Sequence, residues 1–462
     1  MCPQVPAVWC HLGLQQLFTA VNICGNLSFV ARFPRTTPLH KETEMPQIVP
    51  PSARCPPPTD TAHLVVLGGY GARVLLDRAS ELGVRTLLVI PPDRITDADY
   101  RGADRTIVVP SFDDPLLLPL LRTVHAATPI TQCVSLTETG LLPTARINEA
   151  LGLPAVSTRT AALARDKARM RELLGARGLS PVAARRCASL GEAAEFGGRH
   201  GYPIIIKPVD GCGSAAVALA RDPDAVEPAF RAALGESSSG VVLCEEYLDG
   251  PEYSVETFSF AGDHLVLGIV GKRLNEGGFV EIGHVVPATV EPATAEAIRA
   301  TTSELLDAIG LTDGPAHTEI KVTAHGVRVI ETHNRTGGDW IPDLIRMTTG
   351  VDLYQLTLGW AAGVVDPVRD VVTTGGAAIR FCTPPPGRLV SVTGLDRVGA
   401  EPGVVEHGFS RKVGSRVPVV RSSSDRSGYV VARGRTTEEA EQACQRALSH
   451  LRVTVDEEDG RV

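Results

Sequence analysis

The chain shows its first clear hydrophobic pattern from about residue 62, where short apolar runs alternate with helix-like segments. The run HLVVLGGYG leads into glycines, a helix-like stretch follows to Gly83, and a second apolar run occupies Thr86 to Ile90. This alternation predicts a doubly wound α/β domain over residues 59–155. The spacing Gly69, Gly71, Val74 is GxGxxV rather than GxGxxG, which favours a tight strand-to-helix turn over a dinucleotide site.

The two ends of the chain have different patterns. Residues 1–58 pass from a mildly apolar run to a proline-rich stretch, which predicts a disordered or accessory extension. The first basic residue of this segment is Arg32, and polar residues interrupt its apolar run, so it resembles neither a signal peptide nor a membrane span. After residue 365, short apolar runs between Gly and Pro, as in GGAAIRFCTPPPGRLV, predict a β-rich C-terminal domain at 366–462.

Composition narrows the classes of function. A chain of 462 residues and 49.0 kDa is too long for one core and predicts about three domains. The net charge of -8 provides no basic field for a nucleic-acid backbone, so nucleic acid is excluded as a partner. The ten cysteines form no CxxC pair and have no spacing suited to zinc, so they indicate neither disulfides nor a structural metal. This cysteine usage favours a location in the reducing cytoplasm.

Lysine is scarce, because only six of the 45 basic residues are lysines. A lysine that persists in an arginine-rich chain marks a place where a compact ammonium is needed, which points to phosphate binding. The alternative is that the positions of the six lysines are due to chance. Four of them fall between residues 167 and 321. The six are Lys41, Lys167, Lys207, Lys272, Lys321 and Lys412.

Two of these lysines lie beside features suited to phosphate. Lys167 follows Asp166 in a helix-like segment, and Lys207 ends the apolar run IIIKP. A flexible turn with Gly211, Gly213 and Ser214 comes next, and the backbone N–H groups of such a turn can surround phosphate oxygens. The segment lacks the Walker pattern GxxxxGK[ST], and an ordinary β-hairpin turn is the alternative.

Paired acids follow in the segment LCEEYLDGPEYSVE, which places Glu245 and Glu252 on either side of a Gly-Pro corner. Main-chain groups and a carboxylate at the end of an apolar strand can meet an adenine edge, and the second acid can accept from ribose hydroxyls. The alternative is a pair of acids on a solvated loop.

The segment HTEIKVTAHGVRVIETHNRTGG has the alternation of a β-hairpin, with a three-residue loop that ends at Gly326. In that register Thr323 faces Val327 and Glu319 faces Glu331. Two opposed carboxylates repel, and a divalent cation bound between them removes the repulsion. The alternative is that both acids point into solvent.

The order of these motifs resembles the ATP-grasp superfamily, and within it the carboxylate-amine ligases that include the bacterial L-amino acid ligases. The likeness runs from about residue 62 to the C-terminus. It implies an ATP-grasp fold: the N-terminal α/β domain, a central two-lobed nucleotide-binding domain at 156–365 with a mobile lid at about 185–250, and the β-rich C-terminal domain. It also implies ATP and Mg²⁺ as cofactors, with Mn²⁺ as a substitute.

The resemblance assigns a role to each motif. The nucleotide-binding residues that it implies are Lys167, Lys207, Gly211, Gly213, Ser214, Glu245 and Glu252. The metal-binding pair is Glu319 and Glu331, and the substrate-binding residues are Glu281, His284, Arg335 and Gly338. Within these sets, Arg335 corresponds to the arginine that binds an acyl phosphate or substrate carboxylate, and Arg335, Lys207 and His284 are the implied catalytic residues.

This sequence departs from the family at the metal strand. Many members read Glu-x-Asn-x-Arg there, whereas His333 occupies the Asn position and Asn334 comes one place later. Successive strand residues point to opposite faces, so the third metal ligand is left open between His333, Asn334 and water.

The function implied is ATP-dependent amide or peptide bond formation between an L-amino acid and an amine or second amino acid, with ADP and phosphate released. The alternatives are loading of an amino acid onto a carrier protein, a purine-pathway-type ligation, and a non-catalytic ATP-binding regulatory role. Small amino acids or amines are the expected partners, with a carrier protein and a homodimer also open.

Overall fold

A computed structural model of the chain describes residues 18–23, 26–31, 62–69, 71–211, 213–276 and 278–456. Most of the predicted extension at 1–58 lies outside these ranges. Its described part consists of two strands, β1 (Phe18–Ile23) and β2 (Asn26–Ala31), which pair with each other in antiparallel fashion.

The N-terminal domain is a doubly wound α/β unit, as the alternation predicted. A sheet of order β1-β2-β5-β4-β3-β6 is parallel from β2 to β6. Leu64 and Val66 face α1, whereas Val65 and Leu67 face α3. Side chains alternate along this strand, so it is buried on both faces of the sheet. Its elements are β3 (His63–Leu67), α1 (Ala72–Glu81), β4 (Arg85–Ile90), α2 (Asp97–Gly102), β5 (Arg105–Val108), α3 (Leu117–Ala127), β6 (Gln132–Val134) and α4 (Leu141–Leu151).

The next segment forms a small α/β lobe. Four antiparallel strands in the order β7-β10-β8-β9 pack against α7 and α8 through Phe196 and Phe230. The predicted lid at about 185–250 falls on this lobe, and its mobility stays a prediction. The elements are α5 (Thr158–Arg165), α6 (Lys167–Ala176), β7 (Ala184–Cys187), α7 (Leu190–His200), β8 (Ile204–Pro208), β9 (Ala218–Ala220), α8 (Val226–Glu236) and β10 (Val242–Glu246).

An eight-stranded antiparallel sheet of order β15-β14-β11-β12-β13-β16-β20-β18 forms the second lobe. Its first part comprises β11 (Glu252–Phe260), β12 (Asp263–Leu274), β13 (Glu281–Val286), α9 (Pro292–Ile309), β14 (Gly314–Thr323), β15 (Gly326–His333), α10 (Ile341–Thr349) and α11 (Leu353–Ala362). Helix α9 covers one face of the sheet through Ile298, Leu305 and Ile309, which pack on Ile320 and Val329.

Three of the C-terminal strands, β16, β18 and β20, extend this sheet, because β16 pairs with β13. A three-stranded sheet of order β19-β17-β21 lies beside them. The elements are β16 (Gly376–Cys382), β17 (Gly387–Thr393), α12 (Leu395–Ala400), β18 (Val404–Phe409), β19 (Arg416–Val417), β20 (Gly428–Gly434), α13 (Thr437–His450) and β21 (Arg452–Asp456). The sheet is therefore continuous across the predicted boundary at residue 366.

Helix α11 ties the N-terminal domain to the large sheet. Its residues Leu358, Ala361 and Ala362 are buried in the same cluster as Leu76 of α1. Because α11 also contacts β14, this packing holds the N-terminal domain next to the hairpin. Across the described ranges, no helix has the length and apolar character that a membrane span requires.

Candidate active site

One cavity collects most of the predicted site residues. It lies between helix α6, the small lobe, strand β11 and the β14–β15 hairpin, and Ser423 of the C-terminal region closes it. Apolar side chains of Ile205, Val217 and Leu248 line it together with charged groups. The predicted residues that line it are Lys167, Lys207, Gly211, Gly213, Ser214, Glu245, Glu252, Glu281, Glu319, Glu331, His333, Arg335 and Gly338.

The β14–β15 hairpin confirms the opposed acids but not the predicted turn. Glu319 pairs directly with Glu331, as the register predicted. The expected pairing of Thr323 with Val327 is wrong, because Thr323 pairs with Gly326 and only two residues form the turn. Gly326, with a φ of 96°, joins the ladder instead of closing the loop. A β-bulge at Ile330 then restores the alignment of the two acids.

Arg171 of α6 holds the bulge. Its Nη1 donates to the Val329 carbonyl at 2.5 Å and its Nη2 to the Ile330 carbonyl at 3.1 Å. Its Nε donates to Glu245 Oε1, also at 2.5 Å. This buried arginine was not predicted, and it connects the metal-strand hairpin to the acid assigned to the adenine hinge.

Both oxygens of the Glu245 carboxylate have cationic partners. Oε1 accepts from Arg171, and Oε2 lies 2.6 Å from Lys207 Nζ. Burial alone would raise the pKa of Glu245, but the two cations outweigh it and lower the pKa to about 2. The carboxylate that was predicted for the adenine hinge is therefore already paired, and the residues that follow it, 246–248, also line the cavity.

Lys167 and Lys272 neutralise the opposed acids. Lys167 Nζ lies 3.0 Å from Glu331 Oε2, and Lys272 Nζ lies 2.6 Å from Glu319 Oε1. Burial alone would lower the pKa of each lysine, but the neighbouring carboxylates raise it in both, so both are charged at neutral pH. The argument that a divalent cation is needed to remove the repulsion therefore requires correction, because ammonium groups already do so.

Lys272 also contacts two more carboxylates. Its Nζ lies 3.0 Å from Glu252 and 3.2 Å from Glu281, and the side chain is 1% exposed. Sequence reasoning singled this lysine out by its rarity but gave it no role. Lys272 thereby links Glu252, the expected ribose acid, to Glu319 on the metal strand. It links Glu281, the expected substrate acid, to Glu319 in the same way.

For the loop between β8 and β9 the hairpin turn is confirmed, and phosphate binding stays a prediction. Strands β8 and β9 are antiparallel, so the loop does connect a hairpin, and its residues also line the cavity. Gly213 has a φ of 63°, and the Gly211 carbonyl accepts from Lys167 Nζ at 2.6 Å. The N–H of Ser423 donates to the Gly213 carbonyl at 3.2 Å, so the C-terminal region contacts the loop directly.

Arg335 reaches the N-terminal domain. Its Nε donates to Glu138 Oε2 at 2.8 Å, a carboxylate on the loop between β6 and α4. Burial would raise the pKa of Glu138, but His333 and Arg335 lower it well below its usual range. Glu138 was not predicted as a site residue, although it lies in the segment VSLTETG that follows a strand of the doubly wound sheet.

Two of the predicted substrate residues, Glu281 and His284, lie at different depths from the cavity. Glu281 lines the cavity, whereas His284 is buried and does not. His284 Nε2 lies 3.3 Å from Asp339 Oδ2, and Asp339 does line the cavity. Arg426 forms two hydrogen bonds to Asp339, at 2.6 and 2.7 Å. A direct catalytic contact by His284 therefore needs correction, because His284 contacts Asp339 and does not itself line the cavity.

The donor set suits Mg²⁺ in company with phosphate. Throughout the described ranges, no group of three or more His, Cys, Asp or Glu side chains is arranged to hold a metal ion. Glu319 and Glu331 together offer hard carboxylate oxygens on one face of the hairpin. Mg²⁺ is commonly held by one or two carboxylates plus substrate phosphates and water, which fits this pair.

Three protein families match successive parts of the chain. Residues 76–155 match the ATP-grasp N-terminal domain, residues 200–343 the ATP-grasp domain, and residues 380–456 the L-amino acid ligase C-terminal domain 2. The central match contains Lys207, Glu245, Glu319, Glu331 and Arg335, so the cavity described above falls largely within it.

Two relatives illustrate the likeness. "Uncharacterized protein y4rH" of Sinorhizobium fredii is 29% identical over 296 residues, which are 62% of this chain and 60% of that protein. The "L-arginine-specific L-amino acid ligase" of Bacillus subtilis is 26% identical over 55% of this chain and 64% of that protein. The chain thus aligns with less than two thirds of the length of either relative.

Solved structures share the fold. An L-amino acid ligase from Bacillus licheniformis has a TM-score of 0.74 at 22% identity, covering 86% of this chain and 99% of that one. The biotin carboxylase domain of the 2-oxoglutarate carboxylase of Hydrogenobacter thermophilus, solved with the magnesium salt of ADP, has a TM-score of 0.65 at 17% identity, covering 85% and 90%. The ATP-grasp fold predicted for this chain is confirmed.

Proposed function

We propose that this chain is an ATP-dependent carboxylate-amine ligase, since residues 76–155 and 200–343 match ATP-grasp domain families. It joins an L-amino acid to an amine or a second amino acid through an acyl phosphate and releases ADP and phosphate. The observation that carries the proposal is that Lys167, Lys207, Arg335 and the Glu319–Glu331 pair line a single cavity. The match to an L-amino acid ligase C-terminal domain supports an amino acid as substrate.

The chemistry explains why so many cations converge. A carboxylate is a poor acyl donor, because its leaving group would be oxide. Transfer of the γ-phosphoryl group of ATP to a carboxylate oxygen gives an acyl phosphate and ADP, and an amine then attacks the carbonyl carbon and displaces phosphate. Negative charge spreads over the phosphoryl oxygens during the transfer, and groups positioned before the reaction stabilise it.

The lysines supply this charge from both sides of the cavity. Lys167 comes from the start of α6 and Lys207 from the end of β8, and each is paired with a glutamate. Phosphate oxygens compete with these glutamates for the ammonium groups. Mg²⁺ held by Glu319 and Glu331 supplies a further positive charge when bound.

Charged residues of both signs are available to the two substrates. Arg335 and Gly338 line the cavity, and Arg335 offers its guanidinium to a carboxylate or acyl phosphate. Glu281 and Asp339, which also line the cavity, offer carboxylates to an ammonium group, and Arg426 and His284 hold Asp339 in place. The glycine loop and Ser423 cover the cavity, which limits hydrolysis of the intermediate.

The test is to intercept the acyl phosphate. Enzyme, Mg·ATP and a panel of amino acids and small carboxylates are incubated with hydroxylamine, and hydroxamate, ADP and phosphate are measured. The correct carboxylate should give hydroxamate with ADP, and addition of the correct amine should replace hydroxamate with amide. Formation of AMP and pyrophosphate would instead indicate an acyl adenylate. ADP formation without hydroxamate or amide from any carboxylate would favour a regulatory ATPase.

A further inference from the structure

The hairpin contains a sequence palindrome that also pairs in space. The segment His317-Thr318-Glu319 lies on β14 and the reversed segment Glu331-Thr332-His333 on β15. In the antiparallel register, each residue faces its own kind: His317 pairs with His333, Thr318 with Thr332 and Glu319 with Glu331. Because strand side chains alternate, the histidines and glutamates share the face that lines the cavity. The two buried threonines lie on the other face, with 2.8 Å between their hydroxyl oxygens.

On β14, His317 lies between two carboxylates. Its Nε2 is 3.3 Å from Glu319 Oε1, and its Nδ1 is 2.6 Å from Glu256 Oε1. Glu256, on the neighbouring strand β11, is only 1% exposed. The other oxygen of Glu256 accepts the N–H of Gly337 at 3.1 Å, within the turn that leads to Gly338.

On β15, His333 has a similar pair of carboxylate neighbours, although only its Nε2 forms a hydrogen bond. Its Nε2 is 3.0 Å from Glu331 Oε1, and its Nδ1 is 3.3 Å from Glu138 Oε2. The same Glu138 oxygen accepts from Arg335 Nε. Each histidine therefore contacts one acid of the opposed pair and one carboxylate from outside the hairpin.

From these contacts we infer that His317 and His333 are a matched pair of positioning residues that orient Glu319 and Glu331 toward the metal. The inference rests on the proposed function, because it concerns the metal site of the same cavity. A hydrogen bond from Nε2 to Oε1 fixes the rotation of each glutamate and so orients its Oε2 for a metal ion. In Glu331 this second oxygen lies 3.0 Å from Lys167 Nζ, so a metal ion there competes with that ammonium group. His333, whose Nε2 is hydrogen-bonded to Glu331, then acts on the metal through that glutamate and not as the third ligand.

The two carboxylates outside the hairpin, Glu256 and Glu138, anchor the histidines and give this pair a second effect. Glu256 holds the Gly337 N–H, and Glu138 holds Arg335, so both anchors contact the segment that is proposed to bind the substrate carboxylate. Orientation of the metal acids is thereby linked to orientation of that segment. The Glu138 anchor further makes the metal site depend on a residue of the N-terminal domain.

The test measures metal binding without turnover. Mn²⁺ binding to the full chain in the presence of ADP is followed by electron paramagnetic resonance. His317→Phe and His333→Phe should each weaken Mn²⁺ binding about 10- to 100-fold, the range seen when partners of metal-ligating groups are removed. His317→Gln and His333→Gln, which keep one donor, should recover part of it. His325→Phe, at an exposed position in the turn of the same hairpin, is the matched control and should bind as the wild type does.

The result that would overturn the inference is a wild-type Mn²⁺ dissociation constant in both His→Phe variants. Where a Phe variant fails to fold by thermal melting, Glu256→Gln and Glu138→Gln carry the test. These variants leave the histidines in place, and each should still weaken Mn²⁺ binding several-fold. A wild-type protein that binds Mn²⁺ and ADP but forms no amide would refute the proposed function alone. A wild-type protein that binds no Mn²⁺ in the presence of ADP would overturn both the proposed function and the positioning role.

Discussion

Lys272 offers a sharp test of how the charged cluster is balanced, because one ammonium group serves three carboxylates. Its Nζ lies 2.6 Å from Glu319, 3.0 Å from Glu252 and 3.2 Å from Glu281. At an effective dielectric constant of about 20, each contact has a raw Coulomb energy of roughly 5 kcal/mol, most of which offsets desolvation. Loss of one partner from a buried pair typically costs about 3 to 5 kcal/mol, since the other partner stays buried and charged.

The perturbation is Lys272→Met, which keeps the length of the side chain and removes its charge. We expect a fall in melting temperature of roughly 5 to 10 °C by differential scanning fluorimetry. Mg²⁺ alone should raise the melting temperature of this variant more than that of the wild type, because the cation replaces the missing charge. Lys412→Met, at an exposed position, is the control and should be nearly silent.

Two results would refute this reasoning. If Lys272→Met melts within about 1 °C of Lys412→Met, the cluster does not depend on its central cation. If Mg²⁺ alone stabilises the variant and the wild type equally, the cation and the lysine do not act on the same carboxylates.

Three further predictions concern other groups of the cavity. Lys167→Arg and Lys207→Arg should each lower kcat/KM at least about tenfold, or roughly 1.4 kcal/mol, because a planar guanidinium does not fit where an ammonium does. Lys412→Arg is the control and should match the wild type. Equal effects of all three substitutions would remove the argument from lysine scarcity. Arg335→Ala should suppress carboxylate-dependent ADP release far more than ADP binding measured by calorimetry, and a parallel loss would contradict its place at the acyl phosphate. The pKa of Glu245 lies at about 2, below its ordinary 4.5, so its ion pairs stabilise the fold above pH 4.5 and this stability is lost as the pH falls toward 2. Glu245→Gln should therefore show a smaller drop in melting temperature than the wild type on acidification, and an equal drop would place the acid sensitivity elsewhere.

The alternation of apolar runs was enough to predict the doubly wound N-terminal domain, because its central strands β3 and β4 are buried on both faces. The opposed acids of the hairpin were also predictable, since strand periodicity is a local property. The turn was not. Gly326 is compatible with either a three-residue or a two-residue connection, and the bulge that decides between them is held by Arg171, which is 158 residues from the Val329 carbonyl it binds.

The residues missed by sequence reasoning share one property, namely that their partners are distant in the chain. Glu138 meets Arg335 across 197 residues, and His317 meets Glu256 across 61. A single sequence shows the spacing within a motif but not which motifs face one another. Lysine scarcity was a composition signal that drew attention to Lys272, yet its three carboxylate partners became evident only from the packing of β11, β13 and β14.

The bulge at Ile330 has a consequence for changes in chain length. A hairpin closed by a two-residue turn pairs only residues that are an odd number of positions apart, and Glu319 and Glu331 are twelve apart. One extra residue on β15 corrects this parity, and a longer turn would correct it equally well. Deletion of Ile330 would leave the two acids paired while removing one of the carbonyls that Arg171 binds. Removal of the bulge residue would therefore separate the pairing of the acids from the contact with Arg171, a distinction that substitution of single residues does not reveal.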